Sequence, residues 1–132
     1  MSTTSLVTFA EFEQLPDAPG KRELIDGEVI ELPPPKLLHA RIARRIYELL
    51  RTGPLCDRVW QEAGYLVGGG SRQPDVSISH SHQAIENDYL DGSPLTAVEI
   101  LSPANSAAQI RPQTDTYFEE NACQVWVLNQ KR

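Results

Sequence analysis

Arg72-Gln73-Pro74-Asp75-Val76-Ser77-Ile78 and, further along, Leu95-Thr96-Ala97-Val98-Glu99-Ile100-Leu101-Ser102-Pro103 are the two stretches on which the fold turns. Both are short and rich in valine and isoleucine, the pattern of buried or half-buried strands. Each carries an acid in apolar surroundings: Asp75 behind the proline that opens its strand, Glu99 between valine and isoleucine. An ionised carboxylate taken out of water is costly unless it is paired. Two carboxylates converging from strands are how oxygen ligands hold a hard divalent cation. The chemistry that follows is metal-assisted hydrolysis of a phosphodiester. Taken singly, each acid has a plainer use. Asp75 can accept backbone hydrogen bonds at a strand opening, and Glu99 can form a buried ion pair with Arg72 or Arg111.

Outward from these strands, punctuation residues divide the chain. Thr8-Phe9-Ala10-Glu11 fits a capping box, predicting a short helix to about Leu15 before Pro16-Asp17-Ala18-Pro19-Gly20. Arg22-Glu23-Leu24-Ile25 and Glu28-Val29-Ile30-Glu31-Leu32 flank Asp26-Gly27, a hairpin signal. Pro33-Pro34-Pro35 ends it. A helix is predicted from Leu38 to Arg51, with Leu38, Ile42, Ile46, Leu49 and Leu50 on one face. Its arginines 41, 44, 45 and 51 fall mostly elsewhere. They are either a solvated surface supported by Arg44–Glu48 or an electrostatic guide for phosphates.

Arg58 to Val67 predicts a strand pair or one long bent strand, and Gly68-Gly69-Gly70-Ser71 a hairpin loop. That loop lacks the following helix and the lysine of a phosphate-binding loop. His80 to Pro94 is polar and is expected as a surface excursion with one helical turn. A helix from near Pro112 to Asn121 and a last strand, Gln124-Val125-Trp126-Val127-Leu128, complete the order. From Leu38 this order is helix, three strands, helix, strand. It predicts an α/β fold with a mixed sheet flanked by helices, after an N-terminal helix and hairpin.

The chain has 132 residues, 40% hydrophobic and 23% charged, which suits one domain over residues 1–132. The net charge of −6 and pI near 5.0 argue against a general nucleic-acid coat but leave room for a local basic stripe. Aromatic residues do not alternate with basic ones as in a single-strand binder. Trp60, Tyr117 and Trp126 are expected in the core or an interface. No apolar run approaches ~20 residues, and the N-terminus has no secretory pattern, so a cytoplasmic protein without membrane contact is expected. Cys56 and Cys123 lack metal-ligand spacing and are expected as free thiols. His80 and His82 lack the other ligands of a zinc site.

The residues in order also resemble a known family. Thr8-Phe9-Ala10-Glu11-Phe12, Arg22-Glu23-Leu24-Ile25-Asp26-Gly27-Glu28, the prolines before His39, Pro74-Asp75-Val76, Val98-Glu99-Ile100-Leu101-Ser102-Pro103, and Tyr117 followed by Val125-Trp126-Val127 are similar to the PD-(D/E)XK nuclease superfamily. Within it the chain resembles the bacterial "putative restriction endonuclease domain" family, Uma2-type, formerly a domain of unknown function. The resemblance implies a restriction-endonuclease-like core and a metal-dependent DNA endonuclease. Asp75, Glu99 and the backbone carbonyl of Ile100 would bind Mg²⁺ or Mn²⁺. The family's catalytic lysine, four residues before the tyrosine, falls here on Gln113, which can orient a water but carries no charge.

Arg111 is the nearby cation by this reading, and Arg41, Arg44 and Arg45 would guide duplex DNA. Glu62, on the preceding strand, Glu23, in the hairpin, and His39, at the helix start, are further candidates. The alternative is a catalytically inactive member that binds nucleic acid or oligomerises. Cutting both strands is most simply done by a homodimer. Relatives continue with at least one more strand, so either the C-terminus is truncated or a second subunit supplies that edge.

Overall fold

The computed structural model describes residues 5–102 and 114–130. Helix α1 (Phe9–Glu13) starts at Thr8 with the expected capping box: the Thr8 side chain accepts from the Glu11 N–H, and Glu11 reaches back to the Thr8 N–H. Strands β1 (Lys21–Ile25) and β2 (Glu28–Leu32) form the expected antiparallel hairpin, Lys21 opposite Leu32 and Ile25 opposite Glu28. Asp26 and Gly27 turn the chain with φ of 50° and 81°, as the sequence predicts.

Helix α2 (Leu37–Leu50) lies within a residue of its expected bounds. Its buried face is Ile42, Ala43, Ile46, Tyr47 and Leu50, while Leu38 and Leu49 are exposed, so the apolar stripe is rotated from the expected one. A single turn at Cys56–Arg58 leads into β3 (Val59–Gln61), β4 (Tyr65–Val67), β5 (Gly70–Arg72) and β6 (Val76–Ile78). Then come β7 (Ile85–Glu86), β8 (Tyr89–Asp91), β9 (Thr96–Ile100), helix α3 (114–119) and β10 (Gln124–Leu128).

There are two sheets rather than one. The first has order β2-β1-β5-β4-β8-β7, the second β10-β9-β6-β3. Both are mixed: β4 pairs parallel to β8, and β10 parallel to β9. Three local expectations change accordingly. Arg72–Ile78 is not one strand; it is split at Gln73-Pro74, where proline cannot donate to a ladder, and its halves join different sheets. The Arg58–Val67 segment is a pair of strands that also join different sheets. The His80–Pro94 excursion holds no helical turn but the β7–β8 hairpin, with Asn87 and Asp88 at positive φ in its turn.

The second sheet is covered on both faces. Val76, Ile78, Val98 and Ile100 pack against α2 in the main core. The opposite face carries Ser77 and Ala97. There Ala97 packs with Tyr117, Ala122 and Val125, and the Tyr65 hydroxyl of the first sheet lies 2.7 Å from Ser77 Oγ. Burial of the Tyr65 hydroxyl pushes its pKa up to about 12. Trp60 and Trp126, expected inside or in an interface, are 42% and 41% exposed. The thiols of Cys56 and Cys123 are free and exposed, as expected. Among the described residues no helix is long and apolar enough to cross a membrane.

Candidate active site

In the second sheet Val76 lies opposite Val98, and Gln61 opposite Val76. Continuing both registers by one residue sets Glu62, Asp75 and Glu99 abreast at one end of three adjacent strands. Directly opposed residues of an antiparallel pair point to the same face, so Asp75 and Glu99 share the face of Ser77 and Ala97. The sequence expectation that the two acids come from neighbouring strands therefore holds. Asp75 is 3% exposed and Glu99 6%. Glu62 has φ 59°, a conformation costly for a residue with a side chain. Its backbone N–H donates to the Asp75 carbonyl, and its Oε2 accepts from the Gln73 side chain at 3.2 Å.

Each carboxylate is held by named partners. Asp75 Oδ2 accepts the Ile100 N–H at 2.7 Å. Asp75 Oδ1 lies 3.2 Å from Lys21 Nζ and 3.3 Å from His39 Nε2. His39 Nδ1 is buried without a hydrogen-bond partner among the described residues. Glu99 Oε1 accepts the Tyr117 hydroxyl at 2.8 Å and lies 4.0 Å from an Arg72 nitrogen. Glu23 faces Arg72 at 3.5 Å and accepts the Gln73 N–H at 2.6 Å. The Arg72 guanidinium lies 4.0 Å from the centre of the Tyr117 ring and also donates to the Thr116 hydroxyl at 2.6 Å. These contacts are buried or part-buried, so solvent and salt screen them less than surface pairs.

The electrostatics follow from crowding. Burial pushes the Glu99 carboxyl up to about 8, Lys21 and Arg72 oppose the rise, and Glu23 and Asp75 add to it. Burial also raises Glu62 and Tyr117. For Lys21, burial works against the ammonium, but Glu99, Asp75, Glu23 and Glu62 together outweigh it and the net shift is upward. Among the described residues, the carboxylates of Asp75, Glu99, Glu23 and Glu62 lie around Lys21 and Arg72, with His39 beside Asp75.

Among the described residues no three acids, histidines or cysteines are arranged as a preformed metal cage. Mg²⁺ does not require one, because it is bound through one or two carboxylates with waters and substrate phosphate completing its shell. The donor set of Asp75 and Glu99 fits such an ion.

Of the residues singled out from sequence, the structure brings together Asp75, Glu99, Glu62, Glu23, His39 and Ile100. Arg41, Arg44 and Arg45 are exposed on α2; Arg44 reaches Glu48 at 3.9 Å, a solvated pair. Gln113 and Arg111 lie outside the described residues. The expected ion pair of Glu99 with Arg72 is present in the loose 4.0 Å form given above. Two features were not foreseen as such: Lys21, and the Arg72–Tyr117 stack beneath Glu99. The first was not singled out from sequence, since Lys21 stands just before the strand predicted from Arg22.

A family model described as "Putative restriction endonuclease", Uma2, matches residues 9–132. The chain belongs to the Uma2 family. Its fold is also that of a crystal structure titled a "putative nuclease belonging to DUF820" from Anabaena variabilis. The match has a TM-score of 0.79 and 23% identity, and covers 93% of this chain and 74% of that one. No curated protein matches. The Uma2 assignment and the shared fold agree with the restriction-endonuclease-like core expected from the order of motifs.

Proposed function

We propose that this Uma2 protein is a metal-dependent endonuclease that hydrolyses phosphodiester bonds of duplex DNA, with Asp75 and Glu99 as ligands of a Mg²⁺ or Mn²⁺ ion. The observation that carries this reading is the pairing of the two buried acids on adjacent strands, turned to one face of the sheet. Strand geometry supports it, because the same register that buries Val76 and Val98 under α2 turns both acids to the other face. The bound ion would polarise the phosphate and lower the pKa of a water. The backbone carbonyl of Ile100 is its third protein ligand in this reading.

The chain's own residues have separable parts in the proposal. Tyr117 and Arg72 hold the Glu99 carboxylate, and the Ile100 N–H holds Asp75. His39, whose Nε2 lies 3.3 Å from Asp75 Oδ1, is assigned a contact with phosphate or water at the mouth of the site. Gln113 is assigned the orientation of the attacking water, and Arg41, Arg44 and Arg45 attraction of the DNA backbone. A homodimer, one subunit per strand, is the proposed working assembly.

One observation favours a second reading. Both oxygens of Asp75 are already engaged, one by Lys21 and His39, the other by the Ile100 N–H. A fold locked in this way would bind nucleic acid or a second subunit without cutting. A plasmid-nicking assay with Mn²⁺ or Mg²⁺ separates the two readings. The nuclease reading expects nicking by the wild type, abolished by chelator, by Asp75→Ala and by Glu99→Ala. Folded wild type that leaves the plasmid intact with either ion supports the non-catalytic reading.

A further inference from the structure

We propose that Lys21, the first residue of β1, is the ammonium of this site and contacts the scissile phosphate beside Asp75; the proposal rests on the nuclease reading above. Its Nζ lies 3.2 Å from Asp75 Oδ1 and also donates to the Gln73 carbonyl. The side chain is only 14% exposed, so it is held in place rather than swept through solvent. Position is set from two sides. Lys21 and Glu23 alternate with Arg22 on β1 and so lie on one face. Glu23 accepts the N–H of Gln73 while Lys21 donates to its C=O. The hairpin thus clamps the peptide groups that lead directly into Pro74-Asp75.

An ammonium has three N–H groups. Two are engaged, and the third has no acceptor among the described residues. Phosphoryl transfer gathers negative charge on the phosphate oxygens, and a fixed cation there is the type of group that stabilises it. Arg72 is the other cation of the cluster, but it is spent on Glu23, the Tyr117 ring and Thr116 behind Glu99. Lys21 is the cation that touches Asp75 itself. The charge that a glutamine at position 113 cannot supply therefore comes from a strand far earlier in the chain. Gln113 need only handle water.

The test uses the full chain, supercoiled plasmid and saturating Mn²⁺, with wild type, Lys21→Met, Lys21→Ala and Asp75→Ala. The proposal expects kcat to fall about a hundredfold or more in Lys21→Met and Lys21→Ala, the scale of losing one charge-stabilising donor, with the KM for DNA little changed. Propylammonium, which replaces the atoms removed in Lys21→Ala, should restore cleavage by Lys21→Ala and not by Lys21→Met, whose side chain fills the space. Activity of Lys21→Met close to wild type overturns the assignment and leaves the nuclease reading intact. Loss in both variants with lowered melting temperature and no rescue also overturns it, leaving Lys21 as a structural clamp of Gln73. Wild type as silent as Asp75→Ala overturns the nuclease reading itself, and this assignment with it.

Discussion

At the residue scale the site is a problem in satisfying buried carboxylates. Glu99 is tolerated inside an apolar strand because Tyr117 donates to it and Arg72 lies nearby, stacked on the same tyrosine. Tyr117→Phe keeps the ring and the stack and removes only the 2.8 Å hydrogen bond. Leaving a buried acceptor short of its donor costs about 1–3 kcal/mol, so urea unfolding of the variant should show a loss in that range. An unchanged midpoint would mean that the hydroxyl does not support Glu99. The two acids were legible in the sequence because each interrupts a short apolar run, where an ionised carboxylate needs a partner. Their partners were not. Lys21 and Asp75 are separated by 54 positions, and Arg72 and Thr116 by 44. Periodicity reports only which face a residue takes on its own element, not what that face meets.

At the element scale the hairpin β1–β2 brings Lys21 and Glu23 to the acids, and its seat is β5. Only one close register pair joins them, Leu24 opposite Ser71, next to Gly70. A Cβ on Gly70 would overlap the Leu24 carbonyl oxygen, a backbone atom that cannot rotate away. Gly70→Ala should therefore push the hairpin off β5, at about 1–3 kcal/mol or more, as overpacking does. Thermal melting measures the loss, and a melting temperature equal to wild type would contradict this account of the junction. The turns were legible because they depend on local chemistry. Thr8 with Glu11 and Asp26-Gly27 stand as expected, whereas the expected Gly68-Gly69-Gly70-Ser71 loop shortens to a Gly68-Gly69 turn, because Gly70 and Ser71 pair with β4 in β5. The split of Arg72–Ile78 between two sheets was not legible. Pro74 marks a break in hydrogen bonding but does not say that each side joins a different sheet. The β7–β8 hairpin was missed because its Asn87-Asp88 turn lies among polar residues without strong alternation.

At the scale of the whole molecule, a chain of net charge −6 is asked to bind a polyanion. Its exposed arginines on α2 then matter by position rather than by total. Replacing Arg41, Arg44 and Arg45 together by alanine should weaken DNA binding without altering fold. It should also flatten the dependence of log K on log salt by up to about 0.9 for each phosphate that is no longer neutralised. Binding with the same salt slope in the triple variant would assign these arginines to the solvated surface, as the loose Arg44–Glu48 pair allows. Asp75 and Glu99, buried side by side on adjacent strands, are proposed to hold a divalent ion. Calorimetric titration of Mn²⁺ into the wild type, Asp75→Ala and Glu99→Ala tests this proposal most directly. The account predicts saturable binding to the wild type that disappears in both variants. Equal Mn²⁺ affinity in all three, or none in folded wild type, would contradict it.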